Sequence, residues 1–308
     1  MSDAMPDRVY LCEVGPRDGF QFEDRLIPTD RKLAIMRRLA DAGLSRIQAV
    51  SFVHPEWVPQ MADAEEVVAR LPERADVTFT GLVLNMKGLE RAHEAGLTHV
   101  DCSIATNEQH SQDNANMSVA EAIKQAETMV QYADAHGLKV QMGFQTVFGY
   151  GAPGDTPLEQ VVTMAAHFAE HDVESISLAD STGLANPLML KKYVRAVQGV
   201  IGDTPLVLHI HDTRGLGLAN VIAALECGID RFDTALAGMG GCPFIPGAAG
   251  NIPTEDTVYM LNQLGIETGI DIRRVATCSW SMEDFLDKTF PGKLHALLRR
   301  ETMTPSEA

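Results

Sequence analysis

The stretch LVLHIHD, residues 206–212, ends a short β-rich run with two histidines that are two positions apart. Successive side chains of a strand point to opposite faces, so His209 and His211 share one face and the leucines and isoleucine share the other. A helix candidate at residues 215–227 follows this run. A short strand paired with an amphipathic helix is the unit from which parallel α/β folds are built.

The same pairing of strand and helix occurs eight times along the chain. The strand candidates are Val9–Val14, Arg46–Ser51, Val77–Leu82, His99–Ile104, Lys139–Gln145, Glu174–Leu178, Leu206–His211 and Arg231–Ala235. The helix candidates are residues 30–42, 59–70, 87–95, 118–136, 157–171, 187–200, 215–227 and 254–264. Eight units in this length predict an α/β fold, a closed (β/α)8 TIM barrel, with an open doubly wound sheet as the alternative.

The chain divides into a barrel and a short tail. We expect residues 1–280 to form one TIM-barrel catalytic domain and residues 281–308 to form a C-terminal helical extension. No low-complexity segment or interdomain linker interrupts this pattern.

The overall charge excludes some partners. The formal net charge is −17, with 25 Lys and Arg against 42 Asp and Glu, so no basic surface for nucleic acid or an anionic membrane is expected. No apolar run is long enough to span a membrane, and the first ten residues lack a signal-peptide core, which favours the cytoplasm. The five scattered cysteines indicate no disulfide framework.

Polar residues after three strands predict a metal site. Asp18 follows the first strand in EVGPRDG, residues 13–19, and Asn251 follows the eighth in GAAGN, residues 247–251. Barrel closure makes the seventh, eighth and first strands neighbours at the rim where barrel active sites lie. Asp18, His209, His211 and Asn251 therefore converge as candidate ligands.

This mixed nitrogen and oxygen set suits Mg²⁺ or Mn²⁺, whereas zinc more often recruits a thiolate or keeps three protein ligands. The alternative is that His209 and His211 are only a hydrogen-bonded polar pair at a strand end. Position on the rim favours the metal site.

The glycine-rich loop AGMGGCP, residues 237–243, follows the eighth strand. A phosphate site there is disfavoured because the loop has no lysine or arginine. Beside a cation, the thiol of Cys242 would have a lowered pKa and could donate or accept a proton. The alternative is that Cys242 is a small apolar filler.

Taken together, these segments resemble the 3-hydroxy-3-methylglutaryl-CoA lyase family, which belongs to the metal-dependent barrel lyases and Claisen-type synthases. The resemblance covers nearly the whole chain. It is carried by EVGPRDG (13–19), SFV (51–53), WVPQM (57–61), SLAD (177–180), HIHDT (209–213), AGMGGCP (237–243) and GN (250–251).

The resemblance implies roles for these residues. Asp18, His209, His211 and Asn251 would hold a divalent metal, Arg17 would polarise a thioester carbonyl, Cys242 would handle a proton and Asp180 would lie in the active site. Arg17 could otherwise be a salt-bridge partner and Asp180 a turn or helix-cap residue. The implied partner is an acyl-CoA thioester, and a homo-oligomer is compatible with the sequence.

The sequence departs from the family pattern on the other side of the barrel. Gln48 stands where the family usually has a glutamate, and an amide cannot accept a proton as a carboxylate does. His54, the segment 106–108 and the fifth strand, which lacks the family's arginine, differ as well. We expect these changes to alter the wall that faces the substrate.

Three functions follow from this pattern. The first is retro-Claisen cleavage of 3-hydroxy-3-methylglutaryl-CoA, or of a relative such as citramalyl-CoA or a branched glutaryl-CoA, to acetyl-CoA and a keto acid. The second is a Claisen-type synthase that runs the bond formation in the other direction. The third, motivated by Gln48, is an inactive thioester-binding homologue.

Overall fold

The computed structural model describes residues 5–241 and 250–303. Its eight strands form one closed parallel barrel in sequence order, in which the first strand pairs with the eighth. The strands are β1 (Tyr10–Glu13), β2 (Arg46–Ser51), β3 (Thr78–Val83), β4 (His99–Ala105), β5 (Lys139–Gln145), β6 (Ser175–Asp180), β7 (Leu206–Ile210) and β8 (Arg231–Thr234). The predicted TIM barrel is confirmed, and the open sheet is wrong.

Helices cover the outside of the barrel and continue beyond it. They are α1 (Thr29–Asp41), α2 (Ala64–Ala69), α3 (Met86–Glu94), α4 (Glu108–Ala115), α5 (Val119–Ala135), α6 (Leu158–Ala169), α7 (Pro187–Gln198), α8 (Gly217–Leu225), α9 (Thr254–Gln263), α10 (Ile272–Leu286) and α11 (Leu294–Met303). Every predicted strand is present. The predicted capping box of Ser118 and Glu121 opens α5.

The two faces of β7 confirm the expected alternation. Leu206, Leu208 and Ile210 belong to the hydrophobic core. His209 lies on the opposite face, beside Asp233 of β8, with which it is also paired in register. The histidines are therefore inside the barrel.

Helix α4 was not predicted from the sequence. Its sequence EQHSQDNA is polar except for the final Ala115, so it has no apolar periodicity that could indicate a helix. Its ends are capped instead. The side chain of Asn107 accepts a hydrogen bond from the backbone of His110, and Asn116 ends the helix in the left-handed conformation with φ 52°.

The predicted helix over residues 59–70 is wrong in its first half. Residues Pro59–Met61 form a 3-10 turn, and α2 begins only at Ala64. Gln60 explains the break, because its buried side chain bonds the backbone of the loop before α1: its amide donates to the carbonyls of Glu23 and Arg25.

The C-terminal helices pack against the barrel's outer layer. Helix α10 packs on α1, and α11 packs on α10. The expected division at residue 280 stays a prediction, and α10 runs through that position without a break. Among the described helices, none is long and apolar enough to cross a membrane. The described cysteines Cys12, Cys102, Cys227 and Cys278 are free thiols.

Two glycines with positive φ give a matched test of packing at the α1–β2 turn. Gly43 has φ 100°, and a Cβ there would lie 2.3 Å from the carbonyl oxygen of Gly269, just before α10. Gly137 has φ 71° after α5, and a Cβ there would meet no atom within 4 Å. Only the first glycine combines strain with a collision.

We expect Gly43→Ala to lower the free energy of unfolding by about 3 kcal/mol, because backbone strain and displacement of the segment before α10 add together. Gly137→Ala should lower it by about 1 kcal/mol, which is the cost of the left-handed conformation alone. Urea unfolding followed by circular dichroism measures both. Equal losses would show that the contact of Gly43 with Gly269 is unimportant.

Candidate metal centre

The predicted ligands meet at the C-terminal rim of the barrel. Asp18 lies in a π-helical turn, Gly15–Gly19, directly after β1. His211 follows β7, and its backbone forms a bridge with Asn251. This bridge is extended by hydrogen bonds from Asp212 to Gly250 (2.8 Å) and from Ile252 to Ile210 (3.1 Å). Residues 250–252 are thereby held against β7.

Three side chains have the spacing of a metal site. One ligand atom each from Asp18, His209 and His211 lies within 4.8 Å of the other two. The Nε2 atoms of His209 and His211 are 3.1 Å apart. Two neighbouring nitrogens bonded at about 2.1 Å to one ion are separated by about 3 Å when their bonds are at right angles. The histidines therefore fit one cation.

Asn251 offers an oxygen as the predicted fourth ligand atom. Its Nδ2 donates to Oδ2 of Asp18 at 2.6 Å and to the carbonyl of Met239 at 3.2 Å. Its Oδ1 is buried and has no hydrogen-bond partner among the described residues. A buried acceptor without a donor is costly, and a cation would satisfy it. The predicted fourth ligand thus has a buried carbonyl oxygen without a donor among the described residues, and its role as a ligand stays a prediction.

The surroundings of Asp18 and His211 favour the protonation states that bind metal. Burial opposes the charge of Asp18, but Arg17, the two histidines and the Asn251 amide lower its pKa to about 2. Burial and the neighbouring His209 lower the pKa of His211 to about 3. At neutral pH the carboxylate is therefore ionised and the imidazole of His211 is neutral.

Asp233 was missed in the sequence. Its Oδ2 lies 3.1 Å from Nδ1 of His209, so the other ring nitrogen is left for a metal. A carboxylate behind a ligand histidine fixes the ring and raises its basicity. The signal was available, because Arg231 and Asp233 alternate with the buried Phe232 on β8 and so point inward.

Arg17 connects the metal centre to the rest of the barrel. Its Nη1 donates to Oδ1 of Asp18, and its Nε donates to Oε1 of Gln48. All three side chains are buried. The structure therefore places Arg17 beside Asp18 and Gln48 beside Arg17, and it gives Arg17 the salt bridge considered as its alternative. Catalytic roles for Arg17 and Gln48 stay predictions.

Asp180 lies at the end of β6 and accepts hydrogen bonds from the backbone of its own turn. Its Oδ1 accepts from Leu184 at 2.8 Å, and both of its oxygens accept from Ala185 at 3.2 Å. Burial raises its pKa to about 6. These bonds agree with the turn-forming alternative, and a catalytic role for Asp180 stays a prediction.

A buried glutamate, also missed in the sequence, holds the two sides of the rim together. Glu13 ends β1 and accepts from the backbone of Gly15 at 2.9 Å and of Leu236 at 2.8 Å, and from the hydroxyl of Thr254 at 2.7 Å. These donors lie in the turn of Asp18 and on both sides of the glycine-rich loop. Cys242 lies outside the described residues.

The fold and site define a TIM-barrel enzyme with a candidate divalent-metal centre on its C-terminal rim. Residues 8–280 match the HMGL-like family, and the chain belongs to that family. It is a carbon–carbon lyase.

Curated relatives support this assignment. The chain is 36% identical over 288 residues to a hydroxymethylglutaryl-CoA lyase of Bacillus subtilis, with 94% of this chain and 96% of the relative covered. It is 38% identical over 268 residues to a 3-hydroxy-3-isohexenylglutaryl-CoA/hydroxymethylglutaryl-CoA lyase of Pseudomonas aeruginosa, with 87% and 89% covered.

A solved structure agrees with these relatives. An HMG-CoA lyase from Acinetobacter baumannii, in complex with coenzyme A and 3-methylmalate, superposes with a TM-score of 0.88 at 36% identity. The superposition covers 100% of this chain and 99% of that one.

Asp233→Asn tests the support behind His209. We expect the variant to bind Mn²⁺ about tenfold more weakly, because the amide can still accept from Nδ1 but no longer supplies charge to the ring. Isothermal titration with MnCl₂ measures the affinity, and the exposed Asp203→Asn is the matched control. Equal affinity of wild type and Asp233→Asn would contradict this role.

Asp180→Asn and Asp180→Ala separate hydrogen bonding from charge. At pH 7 we expect Asp180→Ala to lower the free energy of unfolding by about 2 kcal/mol, since the buried N–H of Ala185 and the half-buried N–H of Leu184 lose their acceptor. Asp180→Asn keeps an acceptor and should stay within about 1 kcal/mol of wild type.

The same pair reports the raised pKa of Asp180. Because the folded state holds its proton up to about pH 6 and the unfolded state releases it near pH 4, the wild type loses stability as pH rises through this window. Relative to Asp180→Asn, it should lose about 1 kcal/mol between pH 5 and pH 7.5 in urea unfolding. A constant difference across this range would refute the raised pKa.

Proposed function

We propose that the protein cleaves 3-hydroxy-3-methylglutaryl-CoA, or a closely related 3-hydroxyacyl-CoA, to acetyl-CoA and a keto acid, with Mg²⁺ or Mn²⁺ in the metal centre. The observation that carries this proposal is the contact between Arg17 and Asp18. It joins a fixed guanidinium to a side chain of the metal centre. Such a rim offers two adjacent positive centres to an anionic substrate with a thioester carbonyl.

The side chains of Asp18, His209, His211 and Asn251 would hold the cation. When bound, the cation supplies Lewis-acid polarisation of the substrate's tertiary hydroxyl and carboxylate oxygens. Asp233 keeps Nε2 of His209 turned to the centre through its bond to Nδ1. Asn251 orients Asp18 through its amide and leaves its own carbonyl oxygen for the ion.

Cleavage removes one proton from the hydroxyl oxygen, breaks one carbon–carbon bond and adds one proton to the carbon that leaves. The hydroxyl loses its proton to a base, its oxygen forms the new ketone, and the bond between C2 and C3 breaks. The electron pair passes to the enolate of acetyl-CoA, whose oxyanion Arg17 stabilises. An acid then protonates the enolate carbon, and Cys242 is the proposed donor.

Gln48 does not argue for an inactive homologue. Its carbonyl oxygen accepts from Nε of Arg17, so its part is to hold the guanidinium, and that part needs no proton transfer. The Pseudomonas aeruginosa relative is named for both the methyl and the isohexenyl substrate, which makes the branch on C3 the part of the substrate to vary.

Purified enzyme with Mg²⁺ or Mn²⁺ should release acetyl-CoA from one member of a panel of thioesters: 3-hydroxy-3-methylglutaryl-CoA, citramalyl-CoA and glutaryl-CoA esters with longer branches on C3. Removal of metal by EDTA should abolish the activity, and added Mn²⁺ should restore it. We expect Asp18→Asn to lower kcat/KM at least about 100-fold, which corresponds to about 3 kcal/mol of transition-state stabilisation. Asp203→Asn should leave it unchanged.

Two results would overturn the proposal. One is the absence of acetyl-CoA release from every thioester in the panel with both metals. The other is release of free coenzyme A from acetyl-CoA that depends on an added 2-oxo acid, which would indicate a Claisen-type synthase.

A further inference from the structure

Behind Arg17, a line of hydrogen bonds crosses the barrel interior from β2 to β4. Arg17 donates from Nε to the carbonyl oxygen of Gln48, and Nε2 of Gln48 donates to Oδ2 of Asp101. Gln48 and Asp101 are each only 4% exposed. The proposed mechanism uses Arg17 but leaves this buried carboxylate without a role.

The chemistry of its neighbours fixes the orientation of the Gln48 amide. A guanidinium can only donate hydrogen bonds, and an ionised carboxylate can only accept them. The amide carbonyl must therefore face Arg17, and the amide nitrogen must face Asp101. Reversal of the amide would place donor against donor and acceptor against acceptor, so Gln48 has a single favourable orientation.

Asp101 is itself held in place from two sides. Its Oδ2 also accepts from the hydroxyl of Thr80 at 2.5 Å, and its Oδ1 lies 3.4 Å from Nη2 of Arg46. Arg46 in turn bonds Glu174 at 2.9 Å. The carboxylate is thus a fixed, paired charge in the middle of the barrel, as a buried charge must be.

We propose that Asp101 is a positioning residue for Arg17 and acts through the amide of Gln48. This inference rests on the proposed function of Arg17 at the thioester carbonyl. Asp101 locks the amide, the locked carbonyl holds Nε, and the bond from Nη1 to Asp18 completes the fixation of the guanidinium plane. An oxyanion gains most from a donor that does not have to reorient during the reaction.

The line also explains why glutamine suits position 48. A glutamate there would set a second carboxylate against Asp101 at hydrogen-bond distance, where two buried negative charges cannot both persist. Glutamate would become acceptable together with Asp101→Asn, because the amide introduced on β4 would donate where Gln48 now donates. A carboxylate and an amide can therefore exchange places between positions 48 and 101, whereas a change at one position alone leaves two carboxylates or two amides facing each other.

The exchange supplies the test. We expect Gln48→Glu and Asp101→Asn each to lower kcat on the cleaved thioester at least about tenfold, with KM changed less than about threefold, because Arg17 acts in the transition state. The double variant Gln48→Glu/Asp101→Asn should recover kcat to within about threefold of wild type. Glu174→Gln is the control: it removes the charge that pairs with Arg46 at the far side of Asp101, keeps an acceptor oxygen there, and should leave kcat within about twofold.

Melting temperatures of the same four variants test the pairing of Gln48 with Asp101 independently of catalysis. Melting temperatures should fall for Gln48→Glu and for Asp101→Asn and recover in the double variant. If the wild type cleaves no thioester, the proposed function is wrong. The melting temperatures still test whether Gln48 and Asp101 form a coupled pair. If the double variant loses as much melting temperature and kcat as the two single variants together, Gln48 and Asp101 are not coupled and the proposal is wrong. Recovery of stability without recovery of kcat would show that Asp101 only supports the fold.

Discussion

Closure of the barrel between β8 and β1 is the constraint on which the site depends. Four register pairs, from Tyr10 with Arg231 to Glu13 with Thr234, join the first strand to the last. This pairing brings the turn of Asp18 to the segment of Asn251, more than two hundred positions away in the chain. Glu13 reinforces the junction, since it accepts hydrogen bonds from both sides of it. Without closure the histidines of β7 would keep Asn251 beside them, because its segment pairs with β7 directly, but they would lack the carboxylate of Asp18.

Local patterns predicted much of the fold and half of the site. Alternation of apolar and polar residues located all eight strands and placed His209 and His211 on one face, because side-chain direction in a strand depends only on neighbouring residues. Asp18 and Asn251 could be added once a closed barrel was assumed. Helix α4 was not predicted because its polar sequence has no apolar periodicity. Helix α2 was predicted too long because the hydrogen bonds of Gln60 to a loop distant in sequence cannot be seen in the local pattern.

The partners of the predicted residues were harder to predict than the residues themselves. Asp233 behind His209, Asp101 behind Gln48 and Glu13 beneath the rim each act through a contact between different strands or loops. Such a contact depends on register around the barrel, which a single sequence specifies only weakly. Gln48 shows the consequence. In the sequence alone it is a position where the family's usual carboxylate is missing, but in the structure it is hydrogen-bonded to the carboxylate of Asp101. A departure from a family pattern therefore has to be interpreted together with its spatial neighbours.

We propose that Asp18, His209, His211 and Asn251 bind one divalent cation on the rim. Anomalous diffraction at the manganese edge, from crystals grown with MnCl₂, tests it most directly. We expect one strong peak within about 2.0–2.3 Å of Nε2 of both histidines, a carboxylate oxygen of Asp18 and Oδ1 of Asn251. No peak among these four side chains, or a peak bound to other residues alone, would contradict it.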